Sequence, residues 1–76
     1  MATQSHTRYD INFDTESETW RVVKAGATRA TSVCEEKDEA IMRATELAVR
    51  SRPSRVVVHD RDGEVEESRY DDVKVA

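Results

Sequence analysis

Arginines collect at one point of the chain. Arg43 and Arg50 stand seven residues apart in an Ala-rich stretch, and Arg52 and Arg55 flank Pro53 just after it, with Glu46 the only acid in that run. Four guanidiniums so spaced would clamp phosphate oxygens, because each planar fork pairs two-pronged with an oxyanion. Arg21, Lys24 and Arg29 would extend the patch. The competing reading is a solvated helix face, since Arg50 follows Glu46 by four residues and Arg43 follows Glu39 by four, the spacing of ordinary helix-surface pairs. No aromatic side chains are interleaved with these cations, and the chain carries a net charge of −4, features that oppose a polyanionic partner.

The other chemistry-bearing residue types offer less. Gly26 and Gly63 are the only glycines and stand alone at turns, so a Gly-rich phosphate loop is excluded. Neither His6 nor His59 has the neighbours that would orient a nucleophile and a base. His59 closes an apolar run directly before a turn, where its imidazole is expected to bond to hairpin backbone or to Asp60. Asp60, Asp62 and Glu64 alternate like part of a calcium loop, but the glycine and the distal bidentate Glu are not at that loop's spacing, and Asp is common at hairpin tips for local backbone bonding. Cys34 is the only cysteine, which excludes an internal disulfide and a multi-cysteine zinc site and reads as a small buried hydrophobe. No catalytic residue, metal ligand, cofactor or small-molecule ligand is assigned, and an enzyme is not expected.

A chain of 76 residues holds one domain, burying only about 60% of the surface its unfolded form exposes. The core is therefore thin, with room for one helix on one sheet. Charge is uneven along the chain: residues 1–34 and 35–55 each balance, and the whole deficit lies in 56–76, where Asp60, Asp62, Glu64, Glu66, Glu67, Asp71 and Asp72 outnumber Arg61, Arg69 and Lys74. The preference for Arg over Lys, together with the acidic surplus, has the flavour of a proteome adapted to high salt; the alternative is an ordinary acidic surface. The first residues lack a basic start followed by an apolar stretch, and no segment approaches the roughly 20 apolar residues of a membrane span, so a soluble cytoplasmic protein without membrane partners is expected.

These residues need elements to position them. Tyr9, Ile11 and Phe13 alternate with Asp10, Asn12 and Asp14, the period of a strand with one wet face. Thr15 to Glu18 turns the chain into a second strand over 19–25, with Trp20 and Val22 on one face and Arg21 and Val23 on the other. Gly26 breaks it, and the β-branched residues of 28–33 make a short third strand an option. A helix is expected over 36–52: acid gathers in its first turn, Arg50 and Arg52 in its last, and Pro53 stops it. Ala40, Ile41, Ala44, Leu47, Ala48 and Ser51 share one side, a narrow stripe of small side chains that would let the axis lie close to a sheet. Met42 and Val49 stack on the opposite side, either as two isolated exposed side chains or as half of a symmetric helix contact between two copies. Val56-Val57-Val58-His59, Asp60 to Gly63, and Val65 to Tyr70 read as strand, turn and strand.

Trp20-Arg21-Val22, Gly26-Ala27-Thr28-Arg29-Ala30, Glu39-Ala40-Ile41 with Ala44 and Leu47-Ala48, Val56-Val57-Val58-His59, Asp62-Gly63 and the closing Tyr70 together resemble the small uncharacterised domains known as domain of unknown function 2188. The likeness covers roughly residues 8–70, and departs at Glu36, where the family usually has Thr before the helix. It implies an α+β fold and brings no activity, cofactor or catalytic residue. The expected architecture is thus α+β, an antiparallel sheet of four to five strands with one helix on one face, in a single domain over 8–70. Residues 1–7 are expected to form a flexible N-terminus and 71–76 an acidic C-terminal tail or short extra strand. Two functional readings stand. The first is a protein-interaction or accessory module, self-associating as a homodimer through Met42 and Val49 or binding a protein partner. The second is a phosphate or nucleic-acid binding module using Arg43, Arg50, Arg52 and Arg55.

Overall fold

In the computed structural model, which describes residues 7–71, the two early alternating runs form strands β1 (Thr7–Asp14) and β2 (Thr19–Lys24). They are antiparallel, with Ile11 opposite Val22 and Phe13 opposite Trp20, so the apolar residues of both stand on one face. The turn between them is built by Asp14, whose carboxylate accepts the Glu16 N–H at 3.0 Å and the Ser17 hydroxyl at 3.1 Å. Those two bonds hold the Asp14 carboxyl below its usual range, the first contributing most. Glu18 completes the turn with a positive φ of 57°.

Strand β3 (Ser32–Cys34) is shorter and later than the expected 28–33, and contains Cys34 as its last residue. It pairs antiparallel with β2. The helix α1 spans Lys37–Arg50, inside the expected 36–52; Glu36 is its N-cap in extended backbone without a side-chain capping bond. It has already ended at Ser51, whose N–H reaches the Leu47 and Ala48 carbonyls, two residues before Pro53. Strands β4 (Ser54–His59) and β5 (Val65–Tyr70) are an antiparallel hairpin. The Asp60 N–H donates to the Glu64 carbonyl and the Gly63 N–H to the Asp60 carbonyl, a three-residue loop closed by Gly63 at φ 94°.

The sheet order is β3-β2-β1-β4-β5. Because β4 lies alongside β1 in the same direction, the sheet is mixed, not purely antiparallel as expected. The physical reason is the crossover: α1 carries the chain from β3 back over the sheet, so β4 runs in the direction of β3, and β1, antiparallel to β2 as β3 is, shares that direction. Ala40, Ala44 and Ala48 are fully buried, so the helix axis lies close against Tyr9, Ile11, Trp20, Val22, Cys34, Val56 and Val58. Ile41, Leu47, Phe13 and Tyr70 seal the rim. Phe13 meets Trp20 edge to face at 5.2 Å, and Arg61 lies 4.2 Å over the Phe13 ring, closing one end of the core. Ser54, also buried, donates its hydroxyl to the Ala48 carbonyl and pins the start of β4 to the end of α1. Lys37 reaches Asp60 at 2.6 Å, tying the start of the helix to the β4–β5 turn. Of the expected N-terminal tail over 1–7 and C-terminal tail over 71–76, Thr7 belongs to β1, and residues 1–6 and 72–76 lie outside the described residues. Among the described residues, no helix is long and apolar enough to cross a membrane.

Candidate interaction surface

Strand alternation decides where each charged residue goes. Ser54, Val56 and Val58 turn toward α1, so Arg55, Val57 and His59 occupy the opposite, uncovered face of the sheet. The same parity sends Arg8, Asp10, Asn12 and Asp14 of β1, Arg21 and Val23 of β2, and Val65, Glu67 and Arg69 of β5 to that face. Arg8 stands opposite Arg55, and Arg55 opposite Arg69, so three guanidiniums form one row across three adjacent strands.

Like charges set directly opposite one another destabilise a sheet unless they are neutralised. Carboxylates one row along do this for two of the three: Asp10 accepts Arg8 Nε at 3.0 Å and Glu67 accepts Arg55 Nη1 at 2.9 Å. Arg69, third in the row, has no carboxylate within ion-pair distance among the described residues. Asp10 also takes a hydrogen bond from His59 Nε2 at 3.2 Å. This corrects the expectation that His59 would bond to hairpin backbone or Asp60; the parallel pairing of β1 and β4 brings Asp10 to it instead. Arg21 lies 3.7 Å from Asp14.

The two edges of the sheet differ. β3 presents three residues, whereas β5 presents six, of which only Tyr70 is partly covered. The Asp60–Glu64 backbone bond fixes the ladder parity, so Glu66, Ser68 and Tyr70 exchange backbone bonds with β4 while the N–H and C=O groups of Val65, Glu67 and Arg69 point away from the sheet. α1 packs chiefly across β1 to β4 and leaves this edge open.

The four arginines singled out in the sequence are not brought together. Arg43 and Arg50 line a depression of about 300 Å³ between α1 and the approach to β3, with Thr31, Ser32, Glu46 and Leu47. Arg52 is exposed in the α1–β4 connection. Arg55 lies beyond the sheet from the helix, lining a depression of about 240 Å³ with Ser54, Arg69 and Asp71. Strand parity separates what sequence proximity joined. The row of Arg8, Arg55 and Arg69 was missed because it needs the β1–β4–β5 register, although the outward parity of Arg55 was already implied by its apolar neighbours. Met42 and Val49 are exposed on the outer side of α1, 65% and 42% respectively.

Cys34 is buried, and burial first, then the nearby Glu39 carboxylate, pushes its thiol above the ordinary range, which keeps it protonated and unreactive. Asp60, Asp62 and Glu64 bring carboxylate oxygens within 4.8 Å of one another. Each of the two aspartates already serves the hairpin, Asp60 accepting Lys37 and the Arg61 N–H, Asp62 the Glu64 N–H. The bond to Lys37 holds the Asp60 carboxyl below its usual range and raises the Lys37 ammonium above its own.

The family described as "Uncharacterized protein conserved in bacteria (DUF2188)" matches the chain over residues 9–70, from the middle of the first strand to the end of the last. No curated protein and no solved structure matches it.

Proposed function

The chain belongs to the DUF2188 family, and from that premise we propose that it is a protein-interaction module that takes a partner strand at the free edge of β5. The observation that carries this reading is the edge itself: six residues long, unpaired among the described residues, and presenting the backbone groups of Val65, Glu67 and Arg69 outward. An added strand would gain main-chain hydrogen bonds from those groups and specificity from the flanking charges. Association through Met42 and Val49 would bury two side chains seven positions apart and satisfy no backbone group, which makes it the weaker surface.

Glu67→Pro tests the reading. Proline there removes one outward backbone donor and leaves the backbone bonds to β4 in place, a position where edge strands tolerate it, while also removing the exposed carboxylate that accepts Arg55, so Glu67→Ala serves as the control for the lost ion pair. Immobilised wild-type chain should retain partners from a bacterial extract that the Glu67→Pro chain, folded by its amide NMR dispersion, releases. Equal retention by both chains would sink the edge reading.

The phosphate or nucleic-acid reading draws on the row of Arg8, Arg55 and Arg69, in place of the dispersed set Arg43, Arg50, Arg52 and Arg55. An NMR titration with short DNA and RNA at low and high salt separates the two. Salt-sensitive shifts centred on the three row arginines would favour it; shifts absent at low salt would remove it.

A further inference from the structure

Two copies of this chain can share the β5 edge in few ways. A two-fold axis relating two antiparallel edge strands must run perpendicular to the sheet, so it keeps both helices on one side and pairs only residues that share a face. Near the middle of β5, that leaves an axis at Glu67 or at Ser68. The Glu67 axis sets Glu67 against Glu67 of the second copy and Val65 against Arg69. The Ser68 axis sets Glu67 against Arg69 of the second copy twice, once on each side, and Glu66 against the Tyr70 phenol on the other face. Opposite charges facing across strands are favourable and like charges are not, so the Ser68 axis is selected.

We propose that the partner strand is β5 of a second copy, added about an axis at Ser68 to give one continuous ten-stranded sheet. The inference rests on the edge-binding reading and names its partner. In this register, backbone bonds form between the outward groups of Glu67 and Arg69, while Ser68, whose own groups bond to β4, faces its copy as a non-hydrogen-bonded pair. The Arg8–Arg55–Arg69 row then continues into Glu67, Val57 and Asp10 of the second copy, so Arg69 gains a carboxylate that none of the described residues of its own chain supplies. The helix-side residues of β5, Glu66, Ser68 and Tyr70, are polar or amphipathic, so the joined strands need no layer over them.

The test has three arms on the full chain. With Cys34→Ala as background, Ser68→Cys should oxidise to a covalent dimer, because a non-hydrogen-bonded antiparallel pair sits about 4.5 Å apart between Cα atoms, within disulfide reach. Glu66→Cys, displaced along the strand, should not. Second, Arg69→Glu or Glu67→Arg alone should weaken the dimer roughly tenfold, and the exchanged double variant should restore it to within about threefold of wild type, measured by sedimentation. Third, amides of Val65, Glu67 and Arg69 should become protected from hydrogen exchange as concentration rises. A chain that stays monomeric to millimolar concentration while its Glu67→Pro-sensitive partners persist overturns the second copy and spares the edge reading. A dimer that ignores the charge exchange, cross-links no better through Ser68→Cys and leaves those three amides fast overturns the second copy at β5, and the edge reading falls with it only where wild type and Glu67→Pro also retain the same partners.

Discussion

The closeness of helix and sheet rests on three fully buried alanines, and Ala44, the middle one, is the place to test it. Ala44→Leu adds three carbons where Ile11 and Val22 across the interface are themselves fully buried. Were there space to receive them, the added carbons would stabilise by about 0.8 kcal/mol each, roughly 2.4 kcal/mol in all. Because Ala44 is itself fully buried against the sheet, the leucine must instead lift α1 or leave its rotamer well, which costs about 1–3 kcal/mol. The two outcomes have opposite signs. For a domain of this size, each kcal/mol moves the melting temperature by about 4–8 °C, so the substitution should lower Tm by roughly 4–24 °C.

Trp20 makes the assay simple, being the sole tryptophan and part of the buried cluster. Urea unfolding followed by its fluorescence should show a lower midpoint at an unchanged slope, since the surface exposed on unfolding hardly changes. Micromolar protein keeps association out of the equilibrium. Met42→Leu, on the outer side of the same helix, should stay within about 0.5 kcal/mol of wild type. A midpoint that is unchanged or raised by Ala44→Leu would show slack beneath α1 and refute the argument that small side chains set the layer spacing.

Two further outcomes follow from local geometry. Glu18 holds a left-handed backbone, which costs a non-glycine residue about 1–2 kcal/mol, while glycine loses about 0.5–1 kcal/mol through its freer unfolded state; Glu18→Gly should therefore stabilise by about 0–1.5 kcal/mol in the same unfolding assay, and a loss would refute the assigned strain. The Lys37–Asp60 bond works through both partners. Asp60 is lowered when folded, so its contribution is complete above the ordinary Asp value near ~3.9 and lost as pH falls through the lower folded value; Lys37 is raised, so its contribution is complete below ~10.4 and lost as pH rises through the higher folded value. The stability gap between wild type and Lys37→Ala should thus be flat from about pH 5 to 9 and shrink as pH falls below the ordinary Asp range, and a gap that does not shrink at all on acidification would show that the contact is not ionic.

What the sequence made legible was local. The parity of Tyr9, Ile11 and Phe13, the Ala stripe of α1 and the turn at Asp62-Gly63 each depend on neighbours a few residues apart, and each appears in the structure. Pairing between distant segments was not legible. Nothing in residues 7–14 or 54–59 announces that these strands run parallel, and on that one fact depend the bond from His59 to Asp10 and the alignment of Arg8 with Arg55. The third strand slipped for a related reason. β-branched residues at Thr28 and Thr31 favour extended chain, but a strand forms only where β2 offers a partner, and the Thr31 N–H bonds to the Val22 carbonyl just before the pairing of Ser32 to Cys34 begins. The spread of the four arginines has a different cause. Residues 43 to 55 are close in the chain, but the first of them ride a helix above the sheet and Arg55 projects below it.

The open face and its edge give the interaction reading its physical content. Half-exposed pairs such as Arg8–Asp10 and Arg55–Glu67 add little stability each, so the uncovered face is kept soluble by charge more than it is held together by it. Edge strands are kept from pairing indiscriminately by short length, proline or charged side chains. β3 uses short length. β5 is six residues long, contains no proline and uses charge, but of both signs, Glu66 and Glu67 followed two positions later by Arg69. A strand of one sign would repel its own copy in every register, whereas this order repels it about Glu67 and attracts it about Ser68. In the proposed pairing about Ser68 a second copy would meet matched charges where an arbitrary strand would meet unmatched ones, and charge order of that kind can make an exposed edge selective without its being buried.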